Sequence, residues 1–139
     1  MRITTICMCI ALLMSSCATG RIERIELPVY FLDNQLESVT YISKYQGYSS
    51  WDGIDNQSFI LQTGLSEYYL IVLQEPATEM PFSESIRISS GGSRVRAGMD
   101  TVTFLGYSVD RQIYWIEKIY RLKDREQVRT IREQIRTVK

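Results

Sequence analysis

The chain opens on an apolar block, continues through short runs of β-forming residues, and closes on a stripe of helical period. Behind a single basic residue, Arg2, the stretch Ile3 to Met14 is dominated by Ile, Leu, Met, Cys and Ala. A bilayer-spanning helix needs roughly 20 apolar residues, so this block is too short to span and has the form of an export signal. Ala18 to Glu26 is polar and has little to bury, which predicts a tether. Leu27-Pro28-Val29-Tyr30-Phe31-Leu32 offers β-branched and aromatic residues, with Pro28 restricting any strand to an edge or to its first position. Asp33-Asn34 is a turn signal, and Leu36 to Tyr41 fits either a strand or the start of a short helix.

The strongest local pattern is Ser58 to Thr63 and Glu67 to Gln74, two β-rich runs joined by Gly64-Leu65-Ser66, which predicts a hairpin. Pro76 and Pro81 bracket a loop with room for one helical turn at Phe82 to Glu84. Ile86 to Ser89 and Arg94 to Ala97 flank Ser90-Gly91-Gly92-Ser93 and predict a second hairpin. In it Ile86, Ile88 and Val95 face inward, while Arg87, Arg94 and Arg96 share the outer face. Asp100 to Leu105 reads as a strand. The segment Gly106 to Asp110 then turns into Gln112 to Leu122, where Tyr114, Ile116, Tyr120 and Leu122 keep one parity, as in a long strand near a sheet centre.

Asp124-Arg125-Glu126-Gln127 has the form of a capping box, and Val128, Ile131, Ile135 and Val138 recur at helical spacing behind it. The expected fold is therefore α+β: an antiparallel β-sheet of about five to six strands with a C-terminal amphipathic helix. The expected division is a signal peptide over residues 1–16, a tether over 17–26 and a single α+β domain over 27–139.

Composition narrows the chemistry. There is no histidine, which removes the usual general base near neutral pH, the commonest metal ligand and every Ser-His or Cys-His nucleophile arrangement. No Ser-x-x-Lys, Gly-x-Ser-x-Gly or phosphate-binding Gly loop is present. The expectation is a protein that is not an enzyme, with no catalytic residue, no metal and no cofactor. A hydrolase working with carboxylates alone remains the enzymatic alternative. Of the three cysteines, Cys7 and Cys9 lie in the signal and Cys17 follows it, so the folded part carries no disulfide.

Lys and Arg balance Asp and Glu at 16 each, but unevenly. Acids exceed bases between Cys17 and Asp110, whereas Arg111 to Lys139 is basic, so the two regions attract each other or the basic end meets an anionic partner. Arg125, Arg129, Arg132 and Arg136 fall along one line of the predicted helix at 3.6 residues per turn. With Arg87, Arg94 and Arg96 they are the candidate anion- or partner-binding residues. Tyr41, Tyr45, Tyr48 and Trp51 would align on a helix were Gly47 not among them; Tyr45, Tyr48 and Trp51 form the candidate aromatic surface, suited to stacking on sugar faces or to core packing. Asp52, Asp55 and Asn56 lack the spacing of a calcium loop and suit turns and caps.

Two resemblances add to this reading. Met14-Ser15-Ser16-Cys17 resembles the lipobox of exported bacterial lipoproteins, in which the cysteine becomes an N-terminus carrying three acyl chains. Ala18-Thr19 lacks the Asp that retains such proteins in the inner membrane, which implies the periplasmic face of the outer membrane; the alternative is a soluble periplasmic protein. Trp51, Ile54-Asp55, Tyr69-Leu70, Asp100-x-Val102 and Ile116-x-x-Ile119 resemble a bacterial envelope family classed only as a domain of unknown function, over about Gly47 to Leu122. Members of that family carry cysteines where this chain has Glu75-Pro76, Arg94-Val95-Arg96 and Ile113-Tyr114, so no disulfide role transfers. The expected protein is a membrane-anchored lipoprotein serving as a binding or structural module. Its partners are the membrane and an envelope protein, peptidoglycan or lipopolysaccharide, with no nucleic acid. A small apolar-ligand or lipid carrier, needing an internal cavity, is a further alternative.

Overall fold

The structure, a computed structural model, describes residues 35–43, 47–106 and 112–137. The expected strand at 27–32, the turn at 33–34, the tether, Cys17, Tyr45, Arg111 and Val138 lie outside them. Among the described residues there are nine strands: β1 (Glu37–Ser38), β2 (Tyr41–Ser43), β3 (Tyr48–Gly53), β4 (Ser58–Thr63), β5 (Glu67–Leu73), β6 (Ser83–Ser89), β7 (Arg94–Arg96), β8 (Thr101–Gly106) and β9 (Tyr114–Leu122). A single helix, α1 (Arg125–Thr137), follows. The main sheet is antiparallel in the order β3-β4-β5-β9-β8-β6. The fold is the expected α+β, mostly sheet with one C-terminal helix.

The hairpin of β4 and β5 forms as its sequence predicts, Ser58 opposite Val72 and Thr63 opposite Glu67. Gly64 supplies the left-handed φ of 59° that its turn needs and that a Cβ would disfavour. Phe59-Ile60-Leu61 and Tyr68 to Leu73 are unbroken apolar runs because both faces of these strands are buried. Phe59, Leu61, Tyr69, Ile71 and Leu73 enter an inner core, while Ile60, Tyr68, Leu70 and Val72 enter an outer one beneath α1. Ile131 and Ile135 from the helix complete the outer core, with Val128 packed against it.

β9 is the central strand, as expected, and serves different neighbours along its length. One edge pairs with β5; the other meets β8 at Tyr114-Trp115 and β1 at Tyr120-Arg121. Its apolar parity, however, does not mark one face. Val72 pairs with Lys118 and Leu73 with Ile116, so Glu117 is an extra residue, and the alternation reverses across it. Tyr114, Ile116 and Ile119 therefore enter the inner core, and Tyr120 and Leu122 the outer one.

The second hairpin does not form. β6 pairs with β8, Ile86 opposite Phe104 and Ile88 opposite Val102, whereas β7 pairs with β2, Val95 opposite Ile42. β8 offers β6 a six-residue partner with two inward apolar residues, Val102 and Phe104; β7 is three residues long. The glycines between β6 and β7 let the chain leave the sheet, so Arg87 does not share a sheet with Arg94 and Arg96. Leu36 to Tyr41 is strand rather than helix, in the two short pieces β1 and β2. The turn expected at Phe82 to Glu84 sits two residues earlier, a 3-10 turn at Met80–Phe82 with Pro81 in its first turn.

The sheet curls until its ends approach. Trp51 on β3, the first strand in the order, stacks at 5.7 Å on Phe104 of β8, the fifth. The result is nearly a barrel, with one open side between β3 and β6.

Candidate functional site

An open groove of about 430 Å³ runs along that open side, lined by Trp51, Asp52 and Gly53 of β3 and by Met80, Pro81, Ser83 and Glu84. Of this lining, Trp51 also belongs to an aromatic floor inside the curled sheet. Trp51 meets Phe59 edge-on at 6.2 Å and Phe104 at 5.7 Å; Phe104 meets Phe59 at 5.9 Å and Tyr114 at 5.8 Å. These centroid distances lie in the favourable range for offset and T-shaped pairs, each contributing about 0.5–1.5 kcal/mol beyond its buried area. The cluster joins β3, β4, β8 and β9 on the inner face of the sheet, within the inner core.

The groove's far lip is fixed by Glu79 and its neighbours. The buried Tyr114 hydroxyl donates to Glu79 Oε2 at 2.6 Å, and Ser83 Oγ donates to the Glu79 carbonyl at 2.8 Å. Burial raises the Tyr114 hydroxyl well above its ordinary pKa, and the Glu79 hydrogen bond adds to that. Gly53 sits where a Cβ would come 3.2 Å from Met80 Sδ, so this glycine lets the lip approach β3.

On the outer side of β3, Asp52 is held by Arg132 Nη2 of α1. Below it, Asp55 Oδ1 accepts from the Gln57 N–H at 2.8 Å, the Ser58 N–H at 2.7 Å and Ser58 Oγ at 2.8 Å, the turn role expected of it. Among the described residues no group of His, Cys, Asp and Glu is placed to hold a metal ion.

The candidate aromatic surface divides. Tyr48 and Trp51 lie on β3 rather than on a helix. A register shift at Ser49 sets them opposite Thr63 and Leu61, on the same face of the sheet. Trp51 is built into the aromatic floor, while Tyr48 stays 37% exposed, its hydroxyl pushed up to about 12 by desolvation and then by the Asp100 carboxylate. Tyr41 belongs to β2, with Arg94 lying 4.5 Å over its ring.

The arginine line divides too. Arg125 Nε donates to the Tyr68 hydroxyl at 2.8 Å and Arg132 holds Asp52, so two of the four tie α1 to the sheet; Arg129 and Arg136 are exposed. Arg87, Arg94 and Arg96 are exposed as expected, on separate strands β6 and β7. The attraction between basic C-terminal and acidic N-terminal regions is visible in Arg132 with Asp52 and Arg121 with Glu67.

Sequence reasoning missed the aromatic floor, because Phe59, Phe104 and Tyr114 come from three strands and share no spacing. It also missed Gln57, a buried amide whose Nε2 donates to the Leu73 carbonyl at 3.0 Å.

A curled antiparallel sheet, backed by one helix and grooved along its open side, defines an α+β protein whose surface features are that groove and the exposed cations. The chain belongs to the family of unknown function DUF6491, which it matches over residues 1–138. The residues that carried the sequence resemblance, Trp51, Ile54-Asp55, Tyr69-Leu70, Asp100, Val102, Ile116 and Ile119, all fall in the two cores or in the turns that frame them. Comparisons with curated proteins and with solved structures find no match.

Proposed function

We propose that this protein is a bacterial envelope lipoprotein, acylated at Cys17 and held at the periplasmic face of the outer membrane. There it works as a binding module rather than as a catalyst. The observation that carries the binding part is the inner core: Phe59, Leu61, Ile71, Leu73, Val102, Ile116 and Ile119 are buried on the inner face, together with the aromatic cluster. Side chains buried this closely among the described residues disfavour the carrier alternative and favour recognition at the surface. Of the groove's two carboxylates, Asp52 is engaged by Arg132, which disfavours a pair of free facing acids for glycan hydrolysis. The anchor rests on the sequence Met14-Ser15-Ser16-Cys17, and no helix among the described residues is long and apolar enough to cross a membrane.

Growth of expressing bacteria with an alkyne-tagged palmitate, followed by click labelling and membrane fractionation, tests the anchor. The wild-type chain is expected to take the label and to sediment with outer membranes, and Cys17→Ser to do neither. An unlabelled wild-type chain in the soluble fraction overturns the reading. In-cell photocrosslinking from position 84 tests the module: adducts with an envelope component support it, and hydrolysis of glycan by the purified chain opposes it.

A further inference from the structure

We infer that the groove is a strand-addition site that takes an extended peptide of a partner protein with apolar and basic side chains in alternation. This deepens the binding reading by giving the partner's chemistry, and it does not depend on the lipid anchor.

The backbone of β3 points to it. The Ile54 N–H donates to the Ser58 carbonyl at 3.0 Å, and the Gln57 carbonyl accepts from the Leu73 N–H at 2.9 Å. Ile54 and Ser58 therefore hold a hydrogen-bonding pair position of the β3–β4 ladder, through one bond because the Ser58 N–H goes to Asp55. Such pairs alternate along an antiparallel ladder, which makes Asp52 and Ile60 the next one. Trp51 and Gly53 then turn their N–H and C=O groups away from β4, and both residues line the groove. Their backbone groups have no strand beside them among the described residues, since β3 ends the strand order on one side and β6 on the other. Exposed edges of this kind are templates for pairing.

Side chains choose the occupant. On the inner side, Trp51, Met80 and Pro81 offer an apolar floor. On the outer side stands Asp52, its carboxylate already engaged by Arg132 of α1, and on the lip stands Glu84, so the negative charge the groove offers an occupant is that of Glu84. Alternate residues of an added strand point to opposite faces, so its apolar set meets Trp51 and Met80 while its other set meets the Glu84 carboxylate. Lys or Arg fits the second set.

The test uses the full chain in detergent with fluorescein-labelled peptides of alternating Val and Lys or Val and Glu, read by anisotropy. The Val-Lys peptide is expected to bind saturably and less tightly with added salt. Glu84→Lys, with an unchanged thermal melt, is expected to weaken it by about tenfold, and Glu84→Gln by less. A Val-Lys peptide methylated at alternate amide nitrogens on its pairing edge is expected not to bind. Equal binding of the Val-Glu peptide overturns the charge argument. Undiminished binding of the methylated peptide overturns strand addition in favour of simple amine capture. Concentration-dependent dimerisation abolished by Glu84→Lys, without peptide binding, assigns the groove to a second copy instead. Peptide binding and palmitate labelling are separate measurements, so failure of one leaves the other standing.

Discussion

Arg132 on α1 grips the carboxylate of Asp52, 80 residues earlier on edge strand β3. The pair binds the helix to the end of the sheet that flanks the groove, whereas the apolar stripe of Ile131 and Ile135 binds it to the middle. Both side chains are partly exposed, at 35% and 54%, so the pair belongs to the weak class. Arg132→Ala is expected to lower stability by about 0.2–1 kcal/mol in urea titration. Arg129→Ala and Arg136→Ala, which leave exposed positions, are expected to change it less. Equal effects from all three variants would show that the Asp52 contact contributes nothing of its own.

The turn before β4 is organised by one oxygen. Asp55 Oδ1 accepts two backbone N–H groups and the Ser58 hydroxyl, and Gln57 and Ser58 are both buried, so water cannot replace it readily. Asp55→Ala is expected to cost about 2–3 kcal/mol, since it strands donors that had a charged acceptor. Asp55→Asn keeps an oxygen in place and is expected to cost less. Chemical denaturation of the two variants checks the order, and an Asn variant as unstable as the Ala variant would contradict it.

The elements whose periodicity was intact were legible in the sequence. The hairpin of β4 and β5 needs only two β-rich runs and a glycine loop, and α1 needs its stripe and its cap. Gln127 N–H donates to Asp124 Oδ1 at 2.8 Å, while Gln127 Oε1 accepts from the Lys123 N–H at 2.7 Å, one residue before the expected position. Illegible were the features that depend on an extra residue or a distant partner. Glu117 in β9 and Ser49 in β3 each reverse the alternation without any compositional signal. β6 leaves its nearest neighbour in sequence for β8 because Val102 and Phe104 give more apolar contact than Val95 alone. The groove was invisible for the same reason: it exists only because the curled sheet brings Trp51 toward Phe104, and neither residue predicts the other.

Phe104 is the hub of the aromatic floor, touching Trp51, Phe59 and Tyr114. It is buried, so Phe104→Ala leaves a void beneath three rings and is expected to cost about 3–5 kcal/mol. Phe104→Leu restores part of the volume and is expected to cost less. Trp51 reports the change directly, with emission moving to longer wavelength in the Ala variant as water reaches the indole. A Phe104→Ala protein with wild-type stability and emission would mean that the floor does not hold the curled ends together.

Alkaline pH should loosen the structure through Tyr48 and Tyr114. Each has a folded-state pKa raised above the ordinary value of 10.0, Tyr48 to about 12 and Tyr114 further still, by burial first and by carboxylates second. In the unfolded chain both hydroxyls ionise near 10, so between that pH and the folded values the unfolded state holds fewer protons than the folded state. Stability then falls as pH rises, being fully present below about 10 and lost progressively above it. Tyr114→Phe removes the donor to Glu79, so it is expected to be less stable at pH 8 by about 1–3 kcal/mol. It is also expected to lose less between pH 9 and about 11.5 than the wild type does. Tyr48→Phe, at a half-exposed site, is expected to show the flatter alkaline slope with little change at pH 8. Urea midpoints measured across that range for the two variants and their double mutant check both parts. A double mutant that keeps the full wild-type slope would assign the alkaline loss to other groups.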